Sequence, residues 1–293
     1  MREKFKKFWG EFLEIIKKKE MSILPGHLAY YFLISTIPAF TLIFYIASKF
    51  NLSVDLISSF LSSVFSAEIS KDIINILNET YLNLKNVVFL LLAFYIASNG
   101  ARSIITASNT IFNLKDSKPL NKRIKSFILT IFLILLITFI LVVPLFGTSI
   151  LNLFSLIGID NKILSILNVV YPALKWPLTL FVVFLFIKLI YTMAPDETIP
   201  SSYVNKGAIF TTISWTIITA LYSFYINNIA NYTMLYGALS NIVILMLWFW
   251  LISYIFVIGL ALNCKNLEEE NEKTNTIKLK EIQNKIKAKG GLK

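Results

Sequence analysis

The sequence predicts an all-α polytopic membrane protein, with six transmembrane helices and amphipathic helices at its surface. Three observations predict it. The 293-residue chain is 56% hydrophobic and only 15% charged, with a mean hydropathy of +0.68, too apolar for a water-soluble globule. Six apolar runs approach or exceed the roughly 20 residues that a helix needs to cross a hydrocarbon core of about 30 Å. The basic residues, finally, fall mostly on one side of those runs, as the positive-inside rule requires.

Taken in order, residues 1–20 place Phe5, Phe8, Trp9, Phe12, Leu13 and Ile16 at steps of mostly three and four, with Lys4, Lys6, Lys7, Lys17 and Lys18 largely elsewhere. This predicts a cytoplasmic amphipathic helix, either lying on the inner leaflet or packed on a cytoplasmic loop. The late apolar run, with no small-residue cleavage pattern, is unlike a signal peptide. The membrane domain, 21–263, holds spans near 28–49, 87–108, 126–147, 174–194, 206–228 and 236–262. Residues 50–86 are too polar to span. Their Leu56, Phe60, Leu61, Val64 and Phe65 oppose Ser58, Ser59, Ser62, Ser63 and Ser66, which predicts one or two helices along the outer surface. Residues 148–173 read as a short hairpin turning at "GIDN". Pro38, Pro144 and Pro177 predict kinks in the first, third and fourth spans. Residues 264–293 form a basic cytoplasmic tail, expected to be mobile, with a weak helical pattern from Ile277 to Ile286.

Charge sets the orientation. Seven lysines and arginines lie in residues 1–20, five in 113–125, one at Lys206 and eight after 263, whereas the opposite side holds Lys49, Lys71, Lys85, Lys162 and Lys175. Both termini are therefore expected in the cytoplasm. The net charge of +11 follows from this topology, and no Gly-rich or aromatic RNA-binding pattern accompanies it, so nucleic acid is not an expected partner. The single cysteine, Cys264, and single histidine, His27, supply neither a disulfide framework nor a His/Cys metal site. No catalytic residues, metal or cofactor are expected. His27, beside Pro25 and Gly26, reads as an interfacial side chain.

The second span carries a polar ladder. Asn99, Arg102, Ser103, Thr106, Asn109, Thr110 and Asn113 succeed one another at helical spacing, with Ile104, Ile105, Ala107, Ile111 and Phe112 mainly opposite. Such a face is expected to meet other helices or a water-filled cavity, as interhelical glue or as a substrate path. Arg102 and Lys188 each lie six residues from the cytoplasmic end of their predicted spans, about 9 Å below the interface at 1.5 Å per residue. With no carboxylate in the spans, they need carbonyls, water, a lipid phosphate or an anionic substrate, or they snorkel to the headgroups. Asn99, Arg102, Ser103, Thr106, Asn109 and Lys188 are the candidate substrate path or anion site. The missing acids also argue against a proton relay. Asp196 and Glu197 read as an isolated pair capping the fifth span.

Four stretches carry a resemblance: "HLAYYFLISTIPAF" (27–40), "ITASNTIFNLK" (105–115), "LIYTMAPDETIPSSYVNKGAI" (189–209) and "IANYTMLYGALSNIVILMLWFWLISYIFVIGLALN" (229–263). From 20 to 265 the chain resembles the YihY/virulence factor BrkB family. The positions that carry the family pattern are Ala29, Tyr30, Ser35, Pro38, Asn109, Tyr191, Pro195, Pro200, Gly207, Tyr232, Tyr236, Gly237, Trp248, Gly259 and Asn263. Where the family commonly has Gly-Ala-Glu-Leu-Asn, this chain reads "GLALN", with Ala261 at the acidic position. The resemblance implies a six-span inner-membrane protein with cytoplasmic termini. Members have carried ribonuclease and serum-resistance labels, and some are suspected of moving lipids or other envelope molecules. Phosphodiester hydrolysis needs a metal-binding carboxylate cluster or a positioned acid and base, and here Asp55, Glu68, Asp72 and Glu79 are scattered. Tyr232 and Tyr236 read as an aromatic belt or as packing at a cavity mouth.

Two functions from different classes follow. One is a transporter or flippase-like protein for an amphipathic, anionic lipid or envelope molecule, with membrane lipids and their anionic headgroups as partners. The other is a non-transporting scaffold for envelope-building partners. The sequence does not specify protein partners or oligomeric state.

Overall fold

The computed structural model describes residues 10, 12–49, 84–156, 161–229 and 232–290. Its longer helices are α1 (Glu20–Lys49), α2 (Leu84–Ile111), α3 (Pro119–Leu156), α4 (Asn161–Met193), α5 (Asn205–Asn228) and α7 (Ser240–Gly290). Between the last two lie a short α6 (Tyr232–Tyr236) and a 3-10 turn, Gly237–Leu239. The apolar runs become helices because a backbone in hydrocarbon must satisfy its own hydrogen bonds. Five stretches are long and apolar enough to cross a membrane: Glu20–Ile43, Val87–Ile111, Lys175–Met193, Asn205–Asn228 and Ser240–Glu268. Helix α3 covers the remaining predicted span, 126–147.

The helices run through Pro38, Pro144 and Pro177 unbroken. The 148–173 region is mostly helical rather than loop. Helix α3 continues to Leu156 and α4 begins at Asn161, so α3, with 38 residues, is about 57 Å long and exceeds the hydrocarbon thickness. The turn itself, 157–160, and the predicted surface helices as far as residue 83 lie outside the described residues. Helix α7 continues through the basic tail to Gly290. Its predicted start at 236 is displaced to Ser240, because Gly237 adopts a left-handed φ of 53° that ends α6 and resets the chain direction.

Of residues 1–20, positions 12–16 are helical and a turn leads into α1. Ile15 is buried in the core, and the Phe12 ring lies 6.1 Å from that of Phe210 on α5. Lys265 of α7 ties Glu14 at 2.6 Å. The described part packs on helices α5 and α7 rather than on a loop. Phe5, Phe8 and Trp9 lie outside the described residues.

Helix α1 packs on α2 and α7, α2 on α3, α3 on α4, α4 on α5, and α5 on α7, closing a ring of six helices in chain order. The largest fully buried side chains include Leu28, Ile104, Ile105, Leu129, Ile187, Ile190, Tyr191, Phe256 and Leu260. They gather towards the helix ends that the charge pattern assigns to the cytoplasm. Towards the other end, α5 exposes Ile213, Ile217, Leu221 and Phe224, as helices facing lipid do.

Candidate functional site

The polar groups of the half that the charge pattern assigns to the cytoplasm form three constellations. The first begins where α2 stops. Asn113 takes a left-handed φ of 52°, and the Leu114 N–H donates to the Asn109 carbonyl at 2.8 Å, a 6→1 helix-ending bond. The chain therefore folds back over Asn109. Its amide Nδ2 donates both to Asp116 Oδ1 (2.8 Å) and to Asp196 Oδ2 (2.7 Å), while its Oδ1 accepts the Asp196 N–H (2.9 Å). Lys122 pairs with Asp116 at 2.8 Å, and Lys125 with Asp196 at 3.2 Å and with the Pro195 carbonyl. The Ser117 N–H donates to Asp196 at 2.9 Å. One asparagine thus clasps the α2–α3 turn to the loop after α4, with each carboxylate met by an ammonium.

This corrects the reading of Asp196 as a helix cap. The residue before α5 is Val204, which makes no side-chain cap, and Asp196 lies eight positions upstream of it. Lys122, first of all, and then Asn109 hold the Asp116 carboxyl below its ordinary range. Burial pushes the Asp196 carboxyl up, but Ser117, Asn109 and Lys125 outweigh it and the net shift is downward. Both acids are held ionised as salt-bridge partners. Glu197 is exposed.

The second constellation is a seam of α4, α5 and α7. Tyr191 Oη donates to the Phe256 carbonyl (2.8 Å) and bonds Thr211 Oγ1 (2.7 Å). The Gly207 N–H, in the first turn of α5 and so without an intrahelical acceptor, donates to Asn263 Oδ1 at 2.8 Å. A Cβ at Gly207 would run into the Gly259 carbonyl, and one at Gly259 into Thr211 Oγ1 and Tyr191 Oη. Gly207 requires glycine because a backbone carbonyl fills the space, and Gly259 because two bonded hydroxyls do. Four positions of the sequence pattern, Tyr191, Gly207, Gly259 and Asn263, thus meet at one place. A fifth, Ser35 on α1, accepts the Gly100 N–H at 2.9 Å and donates to the Ile96 carbonyl at 3.4 Å. Its hydroxyl reaches both members of one i→i−4 backbone pair of α2. Of the rest, Ala29 is buried, whereas Tyr30 and Pro200 are exposed.

The third constellation is the polar ladder of α2, and the structure divides it. Ser103 is buried and bonds back to the Gly100 carbonyl (2.6 Å), and Asn109 belongs to the clasp. Arg102 and Thr110 are exposed and Thr106 half-exposed. Together with Val88, Leu92, Tyr95 and Asn99, they continue one outward stripe of α2, apolar in its first half and polar in its second. The rungs from Asn99 through Arg102 and Thr106 to Thr110 therefore do not face the bundle interior. Thr106 and Thr110 can point outward because each hydroxyl bonds the carbonyl four residues back (3.1 and 2.9 Å).

Arg123 of α3 flanks this stripe. It donates to Asn99 Oδ1 (3.0 Å) and to the Tyr95 carbonyl (2.9 Å), with its guanidinium carbon 3.7 Å from the Tyr95 ring centroid. Arg102 has no hydrogen-bond or ion-pair partner for its guanidinium among the described residues. Lys188 is half-buried on α4, which packs on α3 and α5 rather than on α2, so the two predicted cations belong to different parts of the ring.

Towards the other end of the bundle, Ile218, Leu221, Tyr222, Tyr225, Tyr232, Leu247, Trp250 and Leu251 line an apolar recess of about 320 Å³ between α5 and α7. Tyr232 stacks on Tyr236 at 6.0 Å beside it, and Trp248 Nε1 lies 3.4 Å from Thr219 Oγ1. Sequence reasoning missed Arg123, Lys122 and Lys125 as site residues because they read as loop charges setting topology, and Asp116 because nothing local marks it. Only the Asn99-to-Arg102 ladder one helix away hints that a cation would be drawn in.

A sequence model of the family described as virulence factor BrkB matches residues 12–282. The chain is 31% identical over 260 residues to the ribonuclease-like protein YfkH of Bacillus subtilis (strain 168), covering 84% of this chain and 92% of that one. It is 25% identical over 279 residues to a UPF0761 membrane protein of Alteromonas mediterranea, covering 90% of each. A shorter match, 32% over 94 residues, joins it to a UPF0761 membrane protein of Idiomarina loihiensis, over 32% of this chain and 33% of that one. No solved structure matches. With residues 12–282 matched by the family model and four of its pattern residues meeting in one helical seam, the chain belongs to the virulence factor BrkB family of membrane proteins.

Proposed function

We propose that the protein is a non-enzymatic, flippase-like transporter for an amphipathic, anionic lipid or envelope molecule of the bacterial inner membrane. The observation that carries this reading is Arg102: a guanidinium exposed on the outward stripe of α2, within a predicted span, with no carboxylate on it among the described residues. A cation so placed is costly in hydrocarbon unless water or an anion meets it, and its planar fork suits phosphate or carboxylate. The close-packed cytoplasmic half and the apolar recess in the outer half add a second support, since a carrier needs one end closed while the other admits an apolar chain. The carboxylates brought together at the clasp, Asp116 and Asp196, are already engaged by Lys122, Lys125 and Asn109, which favours a structural over a hydrolytic use.

The test is a reconstituted vesicle assay with fluorescent anionic and zwitterionic lipids. Parent protein should accelerate transbilayer movement of the anionic probe, and Arg102→Gln should abolish it with membrane insertion intact. Equal accelerated rates for parent and variant would remove Arg102 from the path, and no acceleration by the parent over protein-free vesicles would leave the scaffold reading, in which the chain organises envelope-building partners without moving anything. Orientation is tested in a Cys264→Ser background. A cysteine at Met234, exposed beside the recess, should react with an impermeant reagent only from outside, and one at Lys115 only from the cytoplasm.

A further inference from the structure

We propose that Arg102 and Arg123 together form a binding site for a phosphate group, open sideways to the membrane between α2 and α3. This deepens the proposed function and rests on its anionic-ligand half, not on transport itself.

Arg123 belongs to the first turns of α3, at the cytoplasmic end, yet its guanidinium reaches Tyr95 and Asn99, which straddle the middle of the 28-residue α2. Both acceptors are neutral. The Tyr95 ring on one side and the Phe127 ring, with its centroid 4.9 Å away, hold the guanidinium in place. The Arg123 Nε is buried and has no hydrogen-bond partner. Arg102 stands three residues after Asn99, about 4.5 Å along the helix, close enough for the two positive charges to act on each other. Like charges held together without a counter-ion raise the free energy of the empty site, and a bound dianion lowers it again.

The pattern of acids sharpens the point. Lys122 and Lys125, one and two residues from Arg123, each have an aspartate within 4 Å. The two arginines have none among the described residues, so the chain supplies countercharge where it builds structure and withholds it here. Two forked donors suit the tetrahedral oxygens of a phosphate better than one planar carboxylate. The exposed Tyr95, Leu92 and Val88 continue the stripe towards the outer side, which gives an attached acyl chain an apolar track.

The test uses the purified full-length chain in neutral detergent, titrated with dihexanoyl phosphatidic acid, dihexanoyl glycerol and inorganic phosphate. Arg102→Gln should weaken phosphatidic acid about tenfold or more, the loss of one charged hydrogen-bonding partner, and Arg102→Lys should recover only part. Lys115→Gln, which removes an equal charge from an exposed loop position, should leave binding within about twofold. Arg102 holds nothing else together, so this variant should keep the parent's Tm; Arg123→Gln, which also unties α2 from α3, is compared only at matched Tm. Phosphatidic acid binding unchanged by Arg102→Gln, or dihexanoyl glycerol binding as tightly as phosphatidic acid, would overturn the site. Inorganic phosphate matching phosphatidic acid, and lost in Arg102→Gln, would uphold the phosphate site and assign its source to solution rather than lipid. Arg102-dependent binding without transbilayer movement would uphold the site and sink the transport reading. Arg102-dependent transport of a probe with no phosphate selectivity in binding would do the reverse.

Discussion

Two polar regions lie on α2 within a few turns of each other, and they are completed in opposite ways. At Asn109, two carboxylates, two ammoniums and one amide satisfy one another across three chain segments. Among the described residues, the Arg123 guanidinium meets only one backbone carbonyl, one amide oxygen and two aromatic rings, and the Arg102 guanidinium meets no bonding partner. The first region needs nothing further and ties the α2–α3 turn to the loop after α4. The second is electrostatically unfinished. The difference teaches that a polar face on a membrane helix is not one functional unit: the residues that pair internally are structural, and those left with excess charge are candidates for a ligand.

The comparison breaks most visibly if the closed half is not closed. Gly207→Ala forces a methyl into the space of the Gly259 carbonyl and should cost about 3 kcal/mol or more, since a backbone neighbour cannot rotate away. Unfolding in detergent, followed by circular dichroism, measures it. A Tm near the parent's would mean that α5 and α7 separate without penalty. Asn109→Leu comes next: it removes the shared donor from Asp116 and Asp196 and should cost about 2–4 kcal/mol by the same measurement.

Acid offers a gentler test of the clasp. Both aspartates have folded-state pKa values held below the ordinary value of about 3.9. Their contribution is therefore fully present above that value and is lost as pH falls through the lower folded values. Tm should hold steady down to about pH 4 and decline below it, and Asp196→Asn should flatten the decline. A fall centred near neutral pH would point away from the aspartates. The smallest effect on stability is expected in the open region: Arg102→Gln should change unfolding free energy by less than about 0.5 kcal/mol. A large loss there would show that Arg102 is a structural anchor and would erase the contrast.

The sequence by itself determined the class and where most of the apolar crossings lie, though not that 148–156 and 161–173 extend α3 and α4. Hydrocarbon imposes so simple a rule, about 20 apolar residues per crossing with the backbone bonded to itself, that composition and periodicity suffice. The family pattern was legible too, but not its meaning. Tyr191, Gly207, Gly259 and Asn263 stand far apart in the chain and become one seam only when α4, α5 and α7 converge. Periodicity located the ladder from Asn99 to Asn113, yet it could not say which rungs point inward. Ser103 and Asn109 are buried while Arg102 and Thr110 are exposed, because α1 and the 112–118 turn cover one edge of the helix and nothing described covers the other. Asp196, read locally as a cap, was claimed instead by an asparagine 87 residues away, and Arg123, read as a topology charge, by a tyrosine carbonyl on the neighbouring helix. Side chains as long as these are free to choose among partners, and only the packed helices decide which partners come within reach.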